Sequence, residues 1–212
     1  MREKLDTWPT LPVIIEQHDD VWESKWGVVD IAAALEQNNQ ICQIGLWGVP
    51  NSQMEEILAG MHKPFPILTH LWLESDDETV SVNPVSFLGE SVPCLQFLQL
   101  VSIPFPRLPK LLLSVAHLTD LRLFNISHSG YISPEEMVSC FFTLTKLETI
   151  ILKFDSPKSF PIREHRRPPL PTHISLPALT LFQFNGVNEY LEDLMVRIDT
   201  PLLDKLTISL FH

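Results

Sequence analysis

The 212 residues predict an α/β solenoid, with a parallel sheet on its concave face and helices and irregular segments on its convex face. Three observations predict it. The pattern apolar-x-x-apolar-x-apolar recurs seven times, at a mean spacing of 27 residues. Leucine, at 32 residues, dominates a chain that is 45 % hydrophobic, so there is ample apolar surface to bury. Helix-start signals fall in the gaps between the patterns. A long period of this kind marks units that cannot bury their own apolar face and must stack on their neighbours.

Residues 1–40 are expected to form a capping segment and a first helix near 27–38; residues 41–212 are expected to form about seven repeats. The pattern falls on Ile41/Ile44/Leu46, Leu68/Leu71/Leu73, Leu95/Leu98/Leu100 and Leu118/Leu121/Leu123. It continues on Leu147/Ile150/Leu152, Leu179/Phe182/Phe184 and Leu203/Leu206/Ile208. Its second half reads as a short strand, whose alternate side chains face opposite ways. This is the signature of leucine-rich repeats. Further helices are expected at about 52–61, 108–115, 134–144 and 188–198. Ser52–Glu55 and Ser133–Glu136 match the capping box, the second with Pro134 at the first helical position. Met54, Ile57, Leu58 and Met61 share one helical face, as core-facing residues do. Pro66, Pro93, Pro177 and Pro201 each stand two residues before a pattern leucine. A proline lacks an amide donor and biases its predecessor to extended backbone, so each is expected to end one element and hand the chain to a strand.

Charge and composition exclude several classes. A net charge of −11 argues against nucleic acid, whose phosphates must be met by clustered cations. Glycine numbers only 7 against 18 prolines, and no phosphate-binding glycine loop is present. No apolar run is long enough to cross a membrane as a helix. The N-terminal charges are not followed by an apolar stretch, so no secretory signal is expected. Cys42, Cys94 and Cys140 are odd in number and far apart, which suits reduced thiols in an intracellular protein of cytoplasm or nucleus. Asp76-Asp77-Glu78 reads as a solvated acidic turn. The histidines fit no metal-ligand spacing, and no catalytic motif is found. No enzyme, cofactor or metal is expected.

Five stretches carry a resemblance: Trp8-Pro9-Thr10-Leu11-Pro12; Pro64-Phe65-Pro66-Ile67-Leu68-Thr69-His70-Leu71; Phe87-Leu88-Gly89; Ile103-Pro104-Phe105-Pro106; and Gly130-Tyr131-Ile132-Ser133-Pro134-Glu135. With the repeat, they resemble the leucine-rich-repeat portion of fungal F-box proteins. The resemblance implies the substrate-binding part of a ubiquitin-ligase receptor. The F-box itself is not expected in this chain, because about 25 residues containing Pro9 and Pro12 precede the first predicted helix. A Skp1-type adaptor is then a partner only through an F-box upstream, and the chain reads as a truncated product. The alternatives are a free-standing scaffold without a ubiquitin link and a non-functional gene fragment. The chain is expected to be a monomer.

The outward strand positions are where a protein partner of unknown identity is expected. They read Gln43/Gly45/Trp47, His70/Trp72/Glu74, Phe97/Gln99/Val101 and Asp120/Arg122/Phe124 on the first four strands. Large exposed aromatics beside Arg and acids are typical of interface hot spots. The candidate site is therefore Trp47, Trp72, Phe97 and Phe124, with Glu74, Asp120 and Arg122 at its rim. Two plainer readings compete: Trp47 and Trp72 pack under flanking loops or under a missing neighbouring domain, and Asp120 with Arg122 forms a solvated ion pair within the sheet. The longest gap, 153–178, contains Arg163, Arg166 and Arg167 among six prolines. It reads as a partner clamp, a proline-rich ligand, a basic targeting signal or a solvated loop.

Overall fold

In the sequence, strands should form wherever two inward apolar residues flank one outward residue. The computed structural model, which describes residues 11–17, 28–76, 87–104, 107–160 and 173–211, places a strand at every repeat. The elements are β1 (Val13–Gln17), α1 (Val28–Leu35), β2 (Ile41–Val49), α2 (Asn51–Gly60), β3 (His70–Ser75), β4 (Phe97–Val101), α3 (Leu108–Leu113) and β5 (Asp120–Ile126). There follow α4 (Pro134–Phe141), β6 (Thr149–Phe154), β7 (Ile174–Ser175), β8 (Leu181–Gly186), α5 (Asn188–Met195), β9 (Ile198–Asp199) and β10 (Lys205–Leu210). Eight strands make one sheet in the order β1-β2-β3-β4-β5-β6-β8-β10, and β7 pairs with β9 apart from it. The pairings are parallel, and the sheet is not closed into a barrel.

The pattern residues of the first six repeats are buried and belong to one core. Met54, Ile57 and Leu58 of α2, Leu111 and Leu112 of α3, and Met137, Val138 and Phe141 of α4 complete it from the helical side. The other sheet face holds the half-exposed outward residues.

Five strands, β3, β4, β6, β8 and β10, are approached through a tight turn. Leu68, Leu95, Leu147, Leu179 and Leu203 donate their amides to the carbonyls of Phe65, Val92, Leu144, Leu176 and Thr200, three residues back. Pro66, Pro93, Pro177 and Pro201 occupy the second position of these turns, where their fixed φ suits the geometry. Their role is therefore turn formation and not only helix termination. The next residue ties repeat to repeat. Thr69 N donates to Cys42 O, Gln96 N to Thr69 O, Thr119 N to Gln96 O, Glu148 N to Thr119 O, Thr180 N to Glu148 O and Asp204 N to Thr180 O. The hydroxyls of Thr69, Thr119 and Thr180 add a second bond to the same carbonyls.

The expected helices form. Ser133 caps α4 as expected: Glu136 N donates to Ser133 Oγ, and Ser133 N donates to Glu136 Oε2. The Ser52 box does not form. Helix α2 starts one residue earlier, with Pro50 at its N-cap, so Ser52 already lies inside the first turn and its hydroxyl cannot cap it. Strand β1 was not expected in residues 1–40. Its Val13-Ile14-Ile15 run is β-branched but lacks the repeat pattern. Between β3 and β4, Leu88, Gly89 and Glu90 are all left-handed, with φ of 53°, 58° and 57°. The buried Leu88 donates its amide to Met61 O.

The long gap between β6 and β8 is closed on the helical side by aromatics. Phe154 lies 4.4 Å from Phe160 and 5.0 Å from Tyr190, ring to ring. The Tyr190 hydroxyl donates to Ile132 O at 3.0 Å. The buried Arg197 reaches Glu135 Oε1 at 2.9 Å, tying the chain after α5 to α4.

Candidate functional site

Parallel pairing in register converts the outward strand positions into rows that cross the sheet. One row runs Gln43, His70, Phe97, Asp120, Thr149, Leu181 and Lys205. The next runs Gly45, Trp72, Gln99, Arg122, Ile151, Gln183 and Thr207. Side chains on adjacent strands of one row are close enough to touch.

The second row gains an aromatic residue on β2 by an unexpected route. Strand β2 carries one extra residue between Leu46 and Val49, and Gly48 takes a φ of 58° there. Beside this bulge the Trp47 indole lies back over its own strand, onto Gly45. A Cβ at Gly45 would sit 2.4 Å from the indole, so only glycine leaves room for the ring. Trp47 thus fills the place in the second row that Gly45 vacates.

From there contacts run without a break across four strands. The Trp47 and Trp72 ring centroids are 5.1 Å apart, and Trp72 and Phe97 6.3 Å apart. His70 stacks on Phe97 at 5.9 Å. The Arg122 guanidinium lies 5.0 Å from the centroid of the Phe97 ring, within cation–π range. Arg122 Nη2 also pairs with Asp120 Oδ1 at 2.9 Å. Both partners are partly exposed, so this pair contributes about 1 kcal/mol or less. Gln99 is buried beneath the strip. Trp72 Nε1 and Arg122 Nε are enclosed with no hydrogen-bond acceptor among the described residues.

The structure therefore brings together Trp47, Trp72, Phe97, Arg122 and Asp120. Glu74 is half-buried and pairs in register with Val101, beside the strip. Phe124 stands apart, further along β5. Lys153 Nζ lies 5.1 Å from its ring centroid, and Phe124 also lines a hollow of about 20 Å³ with Leu100, Ile103 and Leu108. That is room for one water molecule, not for a small-molecule ligand. Arg163, Arg166 and Arg167 lie outside the described residues. His70, Gln99 and Lys153 were not among the expected site residues. Their outward strand positions are the signal that reveals them, because rows acquire members only once register is known.

The chemistry elsewhere is sparse. Burial, with Glu136 nearby, pushes the Cys140 thiol up to about 12, so it stays protonated at neutral pH and is a poor nucleophile. Among the described residues no group of three or more His, Cys, Asp or Glu is placed to hold a metal ion. Among them, too, no helix is long and apolar enough to cross a membrane. Comparison with protein-family models, with curated proteins and with solved structures finds no match for this chain.

Proposed function

We propose that this chain is a non-catalytic protein-recognition module, built as an array of about seven leucine-rich repeats, whose outward sheet face binds a protein partner. One observation carries the reading: the half-exposed Trp47–Trp72–Phe97–Arg122 strip that crosses four strands. Hot spots in protein interfaces are enriched in Trp, Tyr and Arg, and side chains already held in place lose less freedom on binding. The sequential parallel order of the strands and the repeat period support the solenoid, with this face concave. By its resemblance, the module is the substrate-binding part of an F-box receptor, and a Skp1-type adaptor joins only through an F-box outside these 212 residues.

The test compares affinity captures by the parent chain and by a Trp72→Ala/Phe97→Ala variant, quantified by mass spectrometry. A genuine partner is recovered by the parent and falls by about 30-fold or more with the variant, the loss of a hot-spot pair. The variant keeps its circular dichroism and urea midpoint. Unchanged recovery overturns the reading. Unfolding of the variant assigns the rings to packing instead.

A further inference from the structure

Beyond the aromatic strip, the outward face carries a third row. Glu74, Val101 and Phe124 are opposed in register on β3, β4 and β5. Lys153 of β6 continues the row, with its Nζ 5.1 Å from the centroid of the Phe124 ring. All four side chains are half-buried. The row therefore reads acid, apolar, aromatic, base across four successive strands. Its two charges differ from the pair in the middle of the sheet. Asp120 and Arg122 satisfy one another at 2.9 Å. Glu74 and Lys153 stand at opposite ends of their row, and among the described residues neither has an ion-pair partner. A charge partly withdrawn from water gains from an opposite charge brought to it and loses from a like one.

We propose that this row selects the partner's docking segment: an extended stretch of the form cation-x-apolar-x-anion, laid across β3 to β6. This ligand chemistry rests on the recognition reading above and specifies it. Neighbouring strands lie about 4.8 Å apart, so β3 and β6 are separated by about 14 Å. In an extended chain residues i, i+2 and i+4 face one way, and i and i+4 are about 13.5 Å apart. The two spacings agree. With the partner's cation over Glu74, its anion reaches Lys153, and the apolar residue between them rests on Val101 and Phe124. A helix fits the row less well. Its same-face spacings are about 10.5 Å over seven residues and about 16.5 Å over eleven, one too short and one too long.

Charge also sets what is refused. A segment with two cations brings a like charge to Lys153, and a segment with two anions brings one to Glu74. Reversing the order of a matched segment changes little. The backbone groups of β3 to β6 are taken up in pairing within the sheet, so the segment is held through side chains and can turn end for end. Orientation then follows charge and not chain direction. The aromatic strip supplies contact area, and the third row supplies the order of charges.

The test is a nuclear magnetic resonance titration of the parent chain with the blocked peptide Ser-Arg-Ser-Leu-Ser-Glu-Ser. Two counterparts carry Arg at both charged places or Glu at both. At low salt the matched peptide is expected to bind about ten-fold more tightly than either counterpart, the effect of turning one partly exposed contact from attraction to repulsion. Amide shifts should centre on Glu74, Val101, Phe124 and Lys153, and the preference should collapse at about 0.5 M salt. Glu74→Lys alone moves the preference to the Glu/Glu peptide, and Lys153→Glu alone moves it to the Arg/Arg peptide. The two together restore it to the matched peptide, which turns end for end. Circular dichroism stays unchanged in all three, and the peptide series on the parent chain stands whether or not the variants fold. Equal affinity for the three peptides, no binding of the matched one, or a folded double variant that still prefers a like-charged peptide would each overturn the proposal. A flat peptide series leaves the Trp72→Ala/Phe97→Ala capture result standing, whereas unchanged capture overturns the recognition reading itself.

Discussion

The two ends of the sheet present the same kind of strand in opposite states. At one end β1 hides Ile15 and Gln17, although it follows no repeat pattern. At the other, β10 follows the pattern faithfully and leaves Leu206 and Ile208 in contact with solvent. The difference separates direction from burial. A strand's own sequence decides which side chains face inward, through two-residue alternation. Whether those side chains leave water depends on what packs against them: Ile15 is part of the core, and Leu206 and Ile208 are not.

The largest expected effect tests this contrast directly. Leu98→Ala, in the middle of the sheet, should lower unfolding free energy by about 2–5 kcal/mol, because the residue is fully buried and a cavity remains. Leu206→Ala has the same chemistry at a half-exposed site and should cost under about 1 kcal/mol. Urea denaturation of both variants measures the pair, and equal losses would refute the contrast.

Next in size is the left-handed turn between β3 and β4. A Cβ on Gly89 would lie 2.5 Å from the backbone nitrogen of Pro64, at a φ of 58°. Gly89→Ala is therefore expected to cost about 1–3 kcal/mol by the same assay. A neutral result would mean that the turn adapts, and that strain at this point does not limit the sheet's middle.

The smallest effect concerns two buried groups of the helical side, Cys140 of α4 and Tyr190 of α5. Burial raises the thiol from 9.0 to about 12 in the folded chain and lifts the Tyr190 hydroxyl well above its usual 10.0. Above pH 9 the unfolded chain loses these protons first and so binds fewer of them. Stability should then fall as pH rises from about 9 toward 12, by about 1 kcal/mol per pH unit for one such group. Cys140→Ala should flatten the slope between pH 9 and 10 in urea melts, and an unchanged slope would exclude the thiol.

Much of this architecture is legible in the sequence. The seven strand patterns, five helices and one capping box follow from local spacing and from side chains that act within a few residues. What is not legible depends on register or on the chain's neighbours. Ser52 has the right partner at the right distance, but helix α2 begins at Asn51 and leaves the hydroxyl misplaced. The outward position of Trp47 is readable, whereas its folding back over Gly45 shows only in the fold. His70 and Lys153 look like ordinary surface residues until pairing sets each beside a ring. Phe124 shares its residue type with the strip but not its place, because it lies further along β5.

The seat of Trp47 on Gly45 has a consequence for timing. A free indole on a surface samples several rotamers and must surrender them when a partner arrives. Here the ring is held by the glycine floor below and by Trp72 alongside, so that ordering is complete when the chain folds. Under the proposed function, a visiting surface would meet a rigid ridge. Replacing Gly45 by alanine would unseat the ring, and association would slow while the rest of the sheet stayed as it is.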